Sequence, residues 1–144
     1  MNSSSSFIAD LKKYIADVLD DEYSLGMYST DASHYQIRPI AIVLPKNESE
    51  VRKAVEIARN NKIKILPRGG GTSLAGQTVG EAMVIDFSKY MTKILEFNEE
   101  ERWVRVQPGV VRDVLNEEMA KFNLHFAPDP VSYTHLTLPT NREV

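Results

Sequence analysis

Cysteine is absent from all 144 residues, which removes disulfides, zinc thiolate sites and iron–sulfur ligands from this segment. Any redox chemistry carried here must use an organic cofactor. An excess of positive charge is missing too: 17 Lys and Arg stand against 20 Asp and Glu, a formal net charge of -3. That balance leaves no basic field to drive sequence-independent binding to nucleic acid or to an anionic membrane, and neither is expected as a partner. No apolar run approaches the roughly 20 residues of a spanning helix, so no transmembrane segment is expected. Met1 to Ser6 lacks the positive region and apolar core of a signal peptide, which makes a cytoplasmic address the expectation. Internal repeats are also lacking. What is present, 42% hydrophobic and 26% charged residues, suffices for one globular domain with a real core.

Ser3 to Ser6 form a short polar tract, expected to be flexible. Beyond it Phe7, Ile8, Leu11, Tyr14, Ile15, Val18 and Leu19 recur at helical spacing and predict an amphipathic first helix. Asp20 to Ser33 is polar, contains Gly26, and is expected as loop or short turn. Pro39 then introduces Ile40 to Leu44, an apolar run short enough for a strand buried on both faces, and Pro45 ends it. Asn47 and Glu50 have the spacing of a helix N-cap and capping box; Val51, Ala54, Val55 and Ala58 mark the buried stripe of the helix they start. Ile63 to Leu66 is the next strand. Residues 40–66 thus predict a strand-helix-strand unit with parallel strands and a right-handed crossover. Met83 to Phe87 is a third strand, and Lys93 to Phe97 with Arg102 to Val106 an antiparallel pair around the acidic turn Asn98 to Glu101. After Pro108-Gly109, the residues Val110, Val111, Val114, Leu115 and Met119 predict a further helix, ahead of the stiff turn Pro128-Asp129-Pro130.

Four of the seven glycines fall within Pro67-Arg68-Gly69-Gly70-Gly71-Thr72-Ser73-Leu74-Ala75-Gly76-Gln77, directly after the second predicted strand. Glycine costs the most backbone entropy to order, so three in a row make sense where the chain takes positive φ or where something approaches the backbone closely. Successive N–H groups there converge on an anion such as a diphosphate, with Thr72 and Ser73 adding hydroxyl donors and Arg68 long-range positive charge. The carboxyl edge of an open α/β sheet is also where ligands bind. Gly71 and Gly76 frame four residues as in a P-loop, with Thr78 in the magnesium-binding place, but Gln77 stands where the lysine belongs and cannot supply its charge. The dinucleotide fingerprint fails as well, because Leu74 replaces its third glycine. A plain glycine turn without a ligand is the alternative the residues leave open.

Together with Arg38-Pro39-Ile40-Ala41-Ile42-Val43-Leu44-Pro45, Val106-Gln107-Pro108-Gly109-Val110 and Ala127-Pro128-Asp129-Pro130, this loop resembles the FAD-binding domain of FAD-linked oxidases of the vanillyl-alcohol oxidase or PCMH type. The branch it is most similar to holds the FAD-binding component of glycolate oxidase and the D-lactate and D-2-hydroxyglutarate dehydrogenases. The resemblance runs from about Tyr28 to Pro130. It implies an α+β fold, a small parallel β-α-β subdomain followed by the start of a second, mainly antiparallel one. It further implies that backbone N–H groups of Arg68, Gly69, Gly70, Gly71, Thr72, Ser73, Leu74 and Ala75 wrap the FAD diphosphate, with Gly76 and Gln77 flanking the flavin side. Pro128 and Asp129 would meet the cofactor from the second subdomain. Some relatives attach FAD through a histidine just after the glycines; Thr72 has that place here, so FAD is expected to be non-covalent.

The activity implied is oxidation of a 2-hydroxy acid by hydride transfer to the flavin, with the small-molecule substrate and the acid or base groups handled by a later cap domain. No catalytic residue is therefore assigned, the electron acceptor is left open, and a phosphate- or nucleotide-binding module without redox activity, or an inactive truncated fragment, is the alternative. His34 and His125 are isolated and expected to be structural or solvated, Trp103 to be core, and Glu99 to Glu101 to be an exposed turn. Tyr28 and Asp31 have no evident chemistry. Val131-Ser132-Tyr133-Thr134-His135 departs from the family pattern and resembles a translated frame of a transposon-end sequencing adapter. The expected division is residues 1–27 as a helical extension, 28–130 as a partial FAD-binding domain and 131–144 as a non-native tail.

Overall fold

The computed structural model describes residues 3–128, so the expectations for Asp129 and for the tail 131–144 lie outside the described residues. The chain divides into two compact units, residues 1–111 and 112–144. In the first, α1 (Ser3–Tyr14) leads into β1 (Val18–Leu19) and α2 (Glu22–Met27), followed by β2 (Ala41–Val43), α3 (Glu48–Asn60), β3 (Ile65–Arg68) and β4 (Met83–Asp86). The four strands form one sheet in the order β1-β2-β4-β3. β4 lies parallel to both β2 and β3, and β1 is antiparallel to β2. The predicted strand-helix-strand unit is therefore present with its strands parallel, and β4 is inserted between them.

Burial on both faces explains why β2 and β4 are uninterrupted apolar runs: every residue of each is buried. Ala41, Val43, Met83 and Ile85 pack with Phe7 and Leu11 of α1, with Ile15 just after it, and with Ala54, Ile57 and Ala58 of α3. The alternate residues Ile42 and Val84 join Leu25 of α2 and Leu44 in a second cluster, with Tyr28, Leu66 and Tyr90 against it. The helices thus cover both faces of the sheet. β3 is its edge strand, which is why Pro67 is tolerated within it: a residue without an N–H interrupts no ladder on the open side.

Several boundaries differ from the sequence reading. The first helix does not run to Leu19 but ends at Tyr14, and Val18–Leu19 pairs with Val43 and Ile42 instead. Positions 7, 11 and 15 continue numerically into 18, so spacing alone does not reveal that Val18 enters the same core from a strand. Ser3 to Ser6, expected to be flexible, lie in the first turn of α1. The polar stretch after Asp20 contains α2, capped by Asp21, whose carboxylate accepts the Ser24 amide at 2.9 Å. Asn47 caps α3 as expected, accepting from the Glu50 amide at 3.0 Å, while the Glu50 carboxylate reaches back to the Lys46 amide at 2.9 Å. Ile57, not Val55, completes the buried stripe of α3; Val55 is 41% exposed.

β5 (Ile94–Asn98) and β6 (Trp103–Val106) form the expected antiparallel pair as a separate two-stranded sheet. Trp103 is half-buried rather than core, because its indole N–H donates to Glu101 at 2.6 Å and Arg105 lies over its ring at 5.6 Å. Gly109 closes against the turn after β4: its amide donates to the Met91 carbonyl at 2.9 Å, and a Cβ there would stand 2.2 Å from the Phe87 carbonyl oxygen. In the second unit, α4 (Arg112–Ala120) buries Leu115 and Met119 but leaves Val114 exposed, and Asn123 at φ +57° provides its left-handed terminus.

Candidate nucleotide-binding site

β3 delivers the glycine loop at the carboxyl edge of the parallel sheet, and its last residue, Arg68, turns inward under the loop. The Arg68 guanidinium donates to the carbonyls of Thr30 at 2.9 Å, Thr78 at 3.2 Å and Tyr28 at 3.4 Å, and it lies over the Tyr28 ring at 5.1 Å. A second tie runs beside it. The Asp31 carboxylate accepts from the Thr78 hydroxyl at 2.9 Å and the Thr78 amide at 3.3 Å, and also from the Ser33 amide at 2.8 Å. Hydrogen bonding from Ser33 first, and from Thr78 after it, holds the Asp31 carboxyl at a pKa of about 2. The Ala32 amide donates to the Gly71 carbonyl at 3.0 Å. Segments 28–33 and 68–78 are thereby laced together.

Tyr28 also reaches the floor of this edge. Its hydroxyl donates to Asp86 at 2.6 Å, and the other Asp86 oxygen accepts the Ser88 amide at 2.7 Å. Asp86 is only 5% exposed. Burial, and then the bond to Asp86, push the Tyr28 phenol well above its ordinary pKa, so it is a fixed donor at neutral pH. A cleft of about 250 Å³ opens here between Tyr28, Arg68, Gly69, Gly70, Asp86 and Ser88.

The loop itself curls over this support. Gly71 and Gly76 take φ of +68° and +70°, which L side chains rarely adopt. A Cβ at Gly71 would lie 2.6 Å from Nη2 of Arg68, and one at Gly76 would lie 2.5 Å from the Tyr35 ring. Within residues 73–77 the Ser73 hydroxyl donates to the Gln77 side chain at 2.7 Å and accepts the Ala75 and Gln77 amides at 3.2 Å each. By contrast, among the described residues no protein acceptor meets the amide N–H groups of Gly69, Gly70, Gly71, Thr72, Ser73 or Leu74. A run of donors without acceptors among the described residues, at a sheet edge and opened by three glycines, fits an anion such as the diphosphate of a nucleotide cofactor.

The sequence-predicted residues fall into two sets. Gly69, Gly70, Gly71, Thr72, Ser73 and Leu74 contribute the unpaired amides. The Arg68 guanidinium and the Ser73 hydroxyl, read from the sequence as charge and donor for the phosphate, are taken up by the protein itself. Ala75, Gly76 and Gln77 form the turn that closes the loop. Thr78, the magnesium position of the rejected P-loop reading, is bonded to Asp31. Pro128 is exposed in the second unit. Sequence reasoning missed Tyr28, Asp31 and Asp86. The spacing Asp31-x-Ser33 is an Asx-turn signal, but nothing local announces partners 47 and 58 residues away.

The chain is thus an α+β protein whose mostly parallel sheet, covered by helices, carries at its carboxyl edge a run of loop amides without acceptors among the described residues. A family model described as "FAD binding domain" matches residues 39–138, and the chain belongs to that family. It is 37% identical to D-2-hydroxyglutarate dehydrogenase of Haemophilus influenzae, over 91% of this chain and 14% of that protein. To glycolate oxidase subunit GlcD of Bacillus subtilis it is 35% identical, over 80% of this chain and 25% of that protein. The chain therefore spans a small part of the length of these relatives. The fold is similar to that of alkyldihydroxyacetonephosphate synthase, with TM-score 0.77 and 24% identity over 90% of this chain and 29% of that one. It is also similar to p-cresol methylhydroxylase, with TM-score 0.69 and 20% identity over 86% of this chain and 26% of that one. Among the described residues no helix is long and apolar enough to cross a membrane.

Proposed function

We propose that this chain is the diphosphate-holding part of a flavoprotein oxidoreductase acting on a 2-hydroxy acid, with FAD held non-covalently by the backbone of residues 69–74. The observation that carries the reading is the run of amides at Gly69 to Leu74 without acceptors among the described residues, over a support laced by Arg68, Asp31 and Tyr28. Preorganised N–H groups in a glycine turn favour a dianionic diphosphate without needing a lysine. The oxidation itself is chemistry the flavin supplies when bound. This chain's contribution is to grip the cofactor and orient it. The substrate class rests on relatives named for D-2-hydroxyglutarate and glycolate. Substrate contacts and proton-handling groups are assigned to a cap beyond the matched segment.

The binding half is tested by titrating the purified chain with FAD, ADP and FMN while following its melting temperature. FAD and ADP carry the diphosphate and are expected to stabilise it; FMN, which lacks one, is expected to do so far less. Stabilisation by ATP and magnesium with none by FAD sinks the reading. Acid precipitation of the loaded protein is expected to leave all flavin in the supernatant, as a non-covalent cofactor requires. The substrate half is tested in a protein extended to the length of those relatives, whose flavin absorbance, at about 450 nm, is expected to bleach with a 2-hydroxy acid under anaerobic conditions.

A further inference from the structure

We infer that Arg68 is a positioning residue and not a phosphate ligand: its guanidinium ties segment 28–32 to the glycine loop and so sets the curve on which residues 69–74 present their amides. This rests on reading that loop as the diphosphate cradle. An arginine ending a strand just before three glycines invites the opposite assignment, a cation aimed at the phosphates. Three observations turn it around.

Three of the fork's five N–H donors are already used. Nη2 donates to Thr30 at 2.9 Å, Nη1 is shared between Thr78 at 3.2 Å and Tyr28 at 3.4 Å, and the carbon between them lies over the Tyr28 ring. These carbonyls come from two segments, one lying 40 and 38 residues before Arg68 and the other 10 residues after it. A planar fork bonds diverging carbonyls in a way a point charge does not. Gly71 then records the fork's position independently, since its missing Cβ would stand 2.6 Å from Nη2 and 3.1 Å from Cζ. The loop's positive φ at Gly71 and the guanidinium beneath it are thus one arrangement. Finally, the Ala32 amide bonded to Gly71 and the Asp31 carboxylate bonded to Thr78 hold the same two segments from either side.

A charge role and a positioning role separate at Arg68→Lys, which keeps the positive charge and loses the fork. Positioning predicts that the full Arg68→Lys chain binds FAD at least about tenfold more weakly, with the salt dependence of its affinity unchanged. A charge aimed at the phosphates predicts near-normal affinity for Arg68→Lys and a shallower salt dependence for Arg68→Met. Amide hydrogen exchange without any ligand gives the second readout. Arg68→Lys is expected to raise exchange in residues 28–32 and at Ala75, Gln77 and Thr78 together while β2 and β4 stay protected. Gly71→Ala, which leaves Arg68 present but displaces its guanidinium, is expected to raise exchange in residues 30–32, and to do so less in an Arg68→Ala background. Wild-type-like FAD affinity in Arg68→Lys, or unchanged exchange at residues 28–32 in Gly71→Ala, overturns the inference. Should the unmodified chain fail to bind FAD, the functional proposal falls while the exchange experiments still decide the role of Arg68. If Arg68→Lys loses protection throughout, Gly71→Ala decides it alone.

Discussion

Residues 41–43 and 83–86 are buried at every position, whereas within 69–75 only Gly71 and Ser73 are even half-buried. Both stretches belong to the same unit and both are short, yet different physics holds them. The strand layer is fixed by non-directional burial against three helices, with backbone groups paired along the ladders. The loop has almost no apolar burial and is fixed by directional bonds: Ala32 to Gly71, Asp31 to Thr78, Ser73 within its closing turn, and Arg68 to the carbonyls of residues 28, 30 and 78. The difference has a functional logic. A loop that anchored itself with its own amides would have none left to offer an anion. Delegating the anchoring to Arg68, Asp31 and Tyr28 leaves the N–H groups of residues 69–74 free while still fixing their directions.

The largest expected effect falls on the layer. Ile42 is fully buried at the centre of the α2 face, and Ile42→Ala removes its contacts and leaves a cavity. A loss of about 2–5 kcal/mol is expected in chemical denaturation, shared by all regions of the unit. A loss under about 1 kcal/mol would show the layer to be loosely packed and would erase the contrast.

Tyr28→Phe is the intermediate case, because it touches both regions. The ring stays against Leu25, Ile42 and Val84, while the bond to buried Asp86 is lost. Leaving that acceptor unpaired is expected to cost about 1–3 kcal/mol. Ultraviolet titration sharpens the point: a phenol ionising well above the ordinary tyrosine value should be present in the wild type and missing in Tyr28→Phe, as burial and Asp86 require.

The contrast also explains what the sequence disclosed. Burial patterns are local, so Ile40 to Leu44 declared itself as a buried strand and Met83 to Phe87 as a strand, and Asn47 with Glu50 declared the start of α3. The glycines of residues 69–71 announced a backbone that something must approach. What stayed hidden was pairing at a distance. β4 inserts between β2 and β3 because of sheet topology that no residue pattern encodes, and Val18 sits equally well on a helical stripe or in an edge strand. Arg68, Asp31 and Thr78 were visible as polar residues beside a glycine run. Their partners lie tens of residues away, so the sequence assigned Arg68 outward to a phosphate and left Asp31 without a role.

The smallest effect concerns the polar ties alone and is set by pH. The Asp31 carboxyl is held at about 2, below its ordinary 3.8. A carboxyl whose pKa is lowered by folding contributes stability that is fully present above the unfolded value and lost as pH falls through the folded one. The Asp31 contribution is therefore intact above about pH 4 and disappears toward pH 2. Asp17, bonded to the Tyr90 hydroxyl, and Asp21, capping α2, are lowered as well, so the whole unit weakens on acidification. Asp31→Asn isolates the local part. Hydrogen exchange at Thr78 and residues 31–33 is expected to accelerate between pH 4 and pH 2 in the wild type, after correction for the intrinsic rate. In Asp31→Asn it is expected to be faster from the start and nearly flat across that window. An equal pH response in both proteins would mean that the loop follows the layer and has no anchoring of its own, which is the outcome that would collapse the two regions into one.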